Sequence, residues 1–210
     1  DEPALGQLIE RQVRGGVDGV VPVGTTGESA TLDYDEHVRV IEFTVQQVAG
    51  RIRVIAGTGA NSTREAVELT RRAEAVGADA SLQVAPYYNK PTQEGLFQHF
   101  RAVAESTRLP ILLYNIPSRC GVEIAVDTVR RLVEVCPNVV GIKEAGGNAD
   151  RVSQLRSVLP RGFVILSGDD SLTLPFLAVG AEGVISIASN VIPREVARMV
   201  RSFLEGRLVE

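Results

Sequence analysis

Lysine is almost missing from this chain. Of its 22 basic residues only Lys90 and Lys143 are lysines, so arginine carries nearly all the positive surface charge. Histidine is as scarce: His37 and His99 are the only two, too few for a histidine-rich metal site, and no metal is expected. The two cysteines, Cys120 and Cys136, fit no CxxC or zinc spacing. They read as a free, reduced pair, which points to a cytoplasmic protein. There is no excess of positive charge. The net charge of −4 leaves no basic footprint for nucleic acid. No apolar run approaches membrane-spanning length, and the first residues show no signal-peptide pattern, so no membrane partner is expected. What remains is an ordinary globular balance, 44% hydrophobic and 23% charged. Its length suits one domain, residues 1–210, with a sizeable core.

The chain opens on an amphipathic helix over 4–14, with Leu5, Leu8, Ile9 and Val13 on one face and Gly15 and Gly16 as its stop. Strand-like runs then recur at 19–23, 52–56, 80–85, 110–114, 138–143, 163–167 and 183–187. Helical stretches lie between them, at 63–76, 94–107, 125–135, 149–158 and 171–179, and one capped by Asp33 or Asp35 carries Val38, Ile41, Val45 and Val48. Near-continuous apolar strands alternating with helices predict a parallel sheet covered on both faces. No GxGxxG follows the first strand, which argues against a dinucleotide fold. A (β/α)₈ barrel fits better, but only seven strands can be counted. The first strand is expected to be missing from this sequence, leaving a gap between the strands near 19–23 and 183–187.

In such barrels the active site lies at the C-terminal ends of the strands. Those ends hold the unusual chemistry of the chain. Lys143 closes the run Val139–Ile142 and Tyr114 closes the strand before it, so the two are expected to be neighbours. Alternation along a strand places Glu144 on the helix side when Lys143 points inward. A desolvated amine beside a phenol suits carbonyl chemistry, the amine attacking and the hydroxyl moving protons. The plainer alternatives are a lysine that reaches solvent and a tyrosine that only packs. Thr25 and Thr26, in a glycine-flanked turn, offer hydroxyls and N–H groups for a carboxylate or simply cap a helix. Arg119 offers a bidentate carboxylate clamp or a surface ion pair. Asp169 and Asp170 argue against a phosphorylated substrate, or cap the next helix.

Six motifs in order, GTTGESATL (24–32), VIAGTGAN (54–61), PYYNKPTQEGL (86–96), LYNIPSRCG (113–121), GIKEA (141–145) and LSGDD (166–170), make the chain resemble the dihydrodipicolinate synthase family throughout. The resemblance implies that Lys143 forms an imine with pyruvate, whose enamine adds to L-aspartate 4-semialdehyde in the first committed step of diaminopimelate and lysine synthesis. It implies no cofactor beyond that covalent imine. By motif, Tyr114 is the proton shuttle, Thr26 and Tyr88 complete the relay, and Tyr88 reaches in from a neighbouring subunit of a homotetramer. Thr25 and Thr26 hold the pyruvate carboxylate, Arg119 holds that of the semialdehyde, and Gly168 and Ile185 line the pocket. L-Lysine is the implied inhibitor, at Ser29, Ala30, Tyr34, His37, Asn61, Glu65 and Tyr87, with Tyr34 where some relatives have histidine. The chain departs from the family pattern in lacking the first strand and a C-terminal helical extension. The alternatives are a sister pyruvate aldolase acting on N-acetylneuraminate or a 2-keto-3-deoxy-sugar acid, and an inactive truncated paralogue. Arg119 and the 86–89 motif favour the synthase, because an arginine suits a short amino-acid substrate better than a polyol.

Overall fold

A computed structural model describes residues 1–207. The chain alternates strand and helix after an initial helix, α1 (Glu2–Gly15). The strands are β1 (Gly19–Val20), β2 (Arg53–Gly57), β3 (Ala80–Val84), β4 (Ile111–Asn115), β5 (Val139–Glu144), β6 (Val164–Ser167) and β7 (Gly183–Val184). The helices that follow are α2 (Tyr34–Val48), α3 (Thr63–Ala75), α4 (Gln93–Glu105), α5 (Pro117–Cys120), α6 (Val126–Val135), α7 (Ala149–Val158), α8 (Thr173–Ala178) and α9 (Pro193–Leu204). Single 3-10 turns cover Ser29–Thr31 and Ala188–Asn190.

Local chemistry explains the boundaries. Asp1 caps α1 through Ala4 N, and Gly16 ends it at φ 77°, a left-handed turn that glycine adopts without steric cost. Asp33, not Asp35, caps α2, accepting from Glu36 N at 2.8 Å; Asp35 pairs with Arg72 instead. Ser62 and Thr92 do the same for α3 and α4. The short β1 has a covalent cause: Pro22 carries no N–H, although its carbonyl still accepts from Gly57 N at 3.0 Å.

All strand pairs are parallel and in chain order, β1 to β7. Among the described residues β1 and β7 are the two ends of the sheet and do not pair with each other, so the expected gap between them is present. The core divides as a barrel-like sheet requires. Leu82, Leu112 and Tyr114 cluster on the inner face with Ile55, Val140, Leu166 and Ile185. Ile111, Leu113, Ile142 and Ile165 face outward, packing with Phe100, Leu132, Leu155 and Phe176 of the helices. Alternation along β4 and β5 thus sends Tyr114 and Lys143 inward, and Asn115 and Glu144 outward.

Candidate active site

The register of β4 on β5 makes Tyr114 and Lys143 direct partners. The Lys143 Nζ lies 4.2 Å from the centroid of the Tyr114 ring. Lys143 is 9% exposed and makes no ion pair among the described residues. Burial lowers its pKa from the usual 10.5 to about 8, against the opposing pull of the Asp170 carboxylate. The buried Tyr114 phenol is pushed above its ordinary value by desolvation; the Thr25 side chain and the Arg119 charge oppose that rise. Glu144 turns away from the amine and is fully buried on the other face.

Gly168 follows β6 and donates its N–H to the Glu144 carbonyl at 2.7 Å. A Cβ there would stand 3.0 Å from Lys143 Cε and 2.7 Å from Ala145 Cβ, so only glycine leaves the lysine its present path. Ile185 lies half-buried beside the inner cluster, its N–H bonded to the Ser167 carbonyl at 2.9 Å. Asp170 caps no helix. Its Oδ2 accepts from Ile187 N at 3.0 Å and Ala188 N at 2.9 Å, tying the loop after β6 to the loop after β7. Asp169 folds back on Ser171.

Thr26 and Tyr88, the two residues expected to complete the relay, are both exposed in this chain. Thr25, the half-buried neighbour of Thr26 in the turn, is the threonine that holds the pKa of the Tyr114 phenol down against the larger upward pull of burial. Tyr88, expected to reach the relay of a neighbouring subunit, points into solvent in its own chain, 90% exposed, at a left-handed φ of 72°. A side chain so exposed does not reach the Tyr114 of its own chain. Arg119, on α5, is exposed and forms no ion pair among the described residues.

A second group assembles beside the N-terminus of α3. Tyr34 and Tyr87 both feel the Glu65 carboxylate, and desolvation and that charge raise both phenols. The Asn61 amide donates to the Tyr87 carbonyl at 3.3 Å. His37 is buried rather than an exposed helix residue, and desolvation lowers its pKa. The neutral ring donates from Nε2 to the Gly57 carbonyl at 2.8 Å, leaving Nδ1 as an acceptor only. Ser29 and Ala30 occupy the 3-10 turn before α2.

A parallel β/α sheet that presents a desolvated lysine against a buried tyrosine at its C-terminal rim defines a Schiff-base lyase of the aldolase kind. The sequence model of the Dihydrodipicolinate synthetase family matches residues 1–210, and the chain belongs to that family. It is 57% identical to a protein of Sulfurihydrogenibium sp. strain YO3AOP1 described as 4-hydroxy-tetrahydrodipicolinate synthase, over all of this chain and 72% of that protein. Among solved structures, the 4-hydroxy-tetrahydrodipicolinate synthase of Methylacidiphilum fumariolicum SolV superposes with a TM-score of 0.98 at 63% identity, over 99% of this chain and 69% of its own. The enzyme of Cyanidioschyzon merolae, solved with lysine bound, superposes at 0.95 with 44% identity, over 98% of this chain and 70% of its own. No helix among the described residues is long and apolar enough to cross a membrane.

Proposed function

We propose that this chain carries the catalytic apparatus of a 4-hydroxy-tetrahydrodipicolinate synthase, condensing pyruvate with L-aspartate 4-semialdehyde. The observation that carries this reading is the pair formed by a partly neutral Lys143 and the Tyr114 ring, whose centroid lies 4.2 Å from the Lys143 Nζ. The lysine attacks the pyruvate carbonyl, forming the C–N bond. Tyr114 supplies the proton that lets the carbinolamine lose water and leave the imine. Loss of a methyl proton gives the enamine, whose carbon adds to the aldehyde of the second substrate. Cyclisation of the amino group onto the imine carbon expels Lys143 and returns the free amine. The chemistry needs no added cofactor.

Thr25 is the relay hydroxyl on this reading, because it is the threonine whose side chain acts on the Tyr114 phenol. Thr25 and Thr26 share the pyruvate carboxylate, and Gly168 and Ile185 give the reacting carbon its close walls. Arg119, exposed and without an ion-pair partner, receives the semialdehyde carboxylate. Tyr88 serves the site of a second copy of the chain within a homotetramer. Its exposure and its left-handed backbone, a conformation that costs about 1 kcal/mol or more in a non-glycine residue, support that role. The cluster of Tyr34, His37, Asn61, Glu65 and Tyr87, with Ser29 and Ala30 nearby in sequence, binds L-lysine as an inhibitor. Glu65 and the bare His37 Nδ1 take its ammonium, and the Asn61 and Tyr87 donors take its carboxylate. Two free, buried cysteines fit a cytoplasmic setting.

A steady-state assay tests the substrate. Turnover of pyruvate with L-aspartate 4-semialdehyde, and none of N-acetylneuraminate, is the expected result. The reverse preference would assign the chain to a sister aldolase.

A further inference from the structure

The far side of the Tyr114–Lys143 pair holds a buried polar unit that the chemistry above does not use. Asn115 and Glu144, the next register partners, are both fully buried and point toward the helices. The Glu144 carboxylate accepts from Asn115 Nδ2 at 2.8 and 3.1 Å, from Gly146 N at 2.7 Å and from Arg151 Nε at 2.8 Å. Asn115 Oδ1 in turn accepts from Ile124 N at 3.0 Å, and Arg151 Nη2 donates to the Ile124 carbonyl. Arg151 also lies 3.5 Å from the Glu123 carboxylate. One carboxylate thus joins the ends of β4 and β5, the loop after β5, the first turn of α7 and the segment before α6.

The backbone is shaped to this unit. A Cβ at Gly146 would stand 2.6 Å from the Glu144 oxygen, so glycine is required where the carboxylate approaches. A buried ion pair is a weak source of stability, since apolar residues of similar volume often serve as well or better. What it does supply is a fixed geometry: three donors on one carboxylate permit only one register and one twist of the two strand ends.

Resting on the Schiff-base reading above, we infer that Glu144, held by Asn115 and Arg151, is a positioning residue that sets the distance and angle between the Lys143 amine and the Tyr114 phenol. It touches neither substrate nor reacting atoms. Glu144 and its strand partner Asn115 are each one peptide unit from a reacting side chain, Lys143 and Tyr114.

The test is a double-mutant cycle on the rate of imine formation, read by quenching the protein and pyruvate with borohydride at timed intervals. Glu144→Gln keeps the shape and removes the charge. It should slow adduct formation roughly 10- to 100-fold, the cost of an ångström-scale misplacement. In a Tyr114→Phe background the same change should cost only about 2-fold, because the geometry it protects is already without its phenol. A unit that merely held the fold together would give equal losses in both backgrounds, and that result overturns the inference. Circular dichroism checks folding. Where Glu144→Gln does not fold, Asn115→Ser, which keeps the Glu144–Arg151 pair, is read in the same two backgrounds with the same expectation. An adduct in the parent protein with equal losses defeats this inference alone. No adduct in the parent defeats the Schiff-base reading with it.

Discussion

The pH dependence of imine formation reads the environment of Lys143 directly. A fall in pKa from 10.5 to about 8 raises the neutral-amine fraction at pH 7 about 300-fold, to roughly one molecule in ten. Timed borohydride quenches of protein with pyruvate should show a rate that climbs about tenfold from pH 6 to 7 and levels off above about pH 8.5. Burial lowers this pKa and Asp170 opposes it. Asp170→Asn should therefore move the inflection downward, while the carboxamide oxygen still accepts from Ile187 N and Ala188 N. The same shift has a stability consequence. The folded pKa lies below the unfolded one, so between about pH 8 and 10.5 the unfolded chain binds more protons, and stability rises with pH across that window. At neutral pH the buried amine costs on the order of 3 kcal/mol. Lys143→Met should raise the melting temperature at pH 7 by roughly 6–12 °C while abolishing the adduct. A rate still climbing at pH 10, or an inflection moved upward by Asp170→Asn, would refute the reasoning.

Three substitutions extend the test. Gly168→Ala places a methyl 3.0 Å from Lys143 Cε and should lower kcat/KM about 10- to 100-fold with the fold intact by circular dichroism; unchanged kinetics would mean that the lysine does not depend on this clearance. Arg119→Ala should reduce kcat/KM for the semialdehyde on the order of 100-fold and leave pyruvate imine formation nearly untouched, and equal loss of both steps would show a structural role. Glu65→Ala should abolish inhibition by millimolar L-lysine in the assembled enzyme, since the ammonium loses its carboxylate; inhibition equal to that of the parent would place the ligand elsewhere.

Most of the sheet was legible because its strands are buried on both faces. Runs such as Ile111–Leu113 and Val139–Ile142 leave no polar alternation to mislead the reading. The partnership of Tyr114 with Lys143 followed from strand order and the alternation of side chains. The ends of β1 and β7 were read too long, since each pairs on one side only and backbone bonds there outlast regular strand geometry. The sequence reading did not assign α9, although Pro193 opens it and Val196, Met199, Val200 and Phe203 recur at helical spacing. Nor did it assign α5, a single turn too short for periodicity. The choice between Thr25 and Thr26 depends on how one turn folds, which residue type does not reveal. Asn115 and Arg151 lie 36 positions apart and resemble ordinary polar residues until β4, β5 and α7 pack together. The burial of His37 was equally hidden, because a histidine on an amphipathic helix reads the same on either face.

The central claim is that one amine, that of Lys143, forms the covalent link to pyruvate. Incubation of the protein with pyruvate, reduction by borohydride and peptide mass spectrometry measure it most directly. The expected result is a single reduced pyruvyl adduct on the peptide containing Lys143, lost in Lys143→Met. An adduct on Lys90, or none on the folded protein, would contradict it.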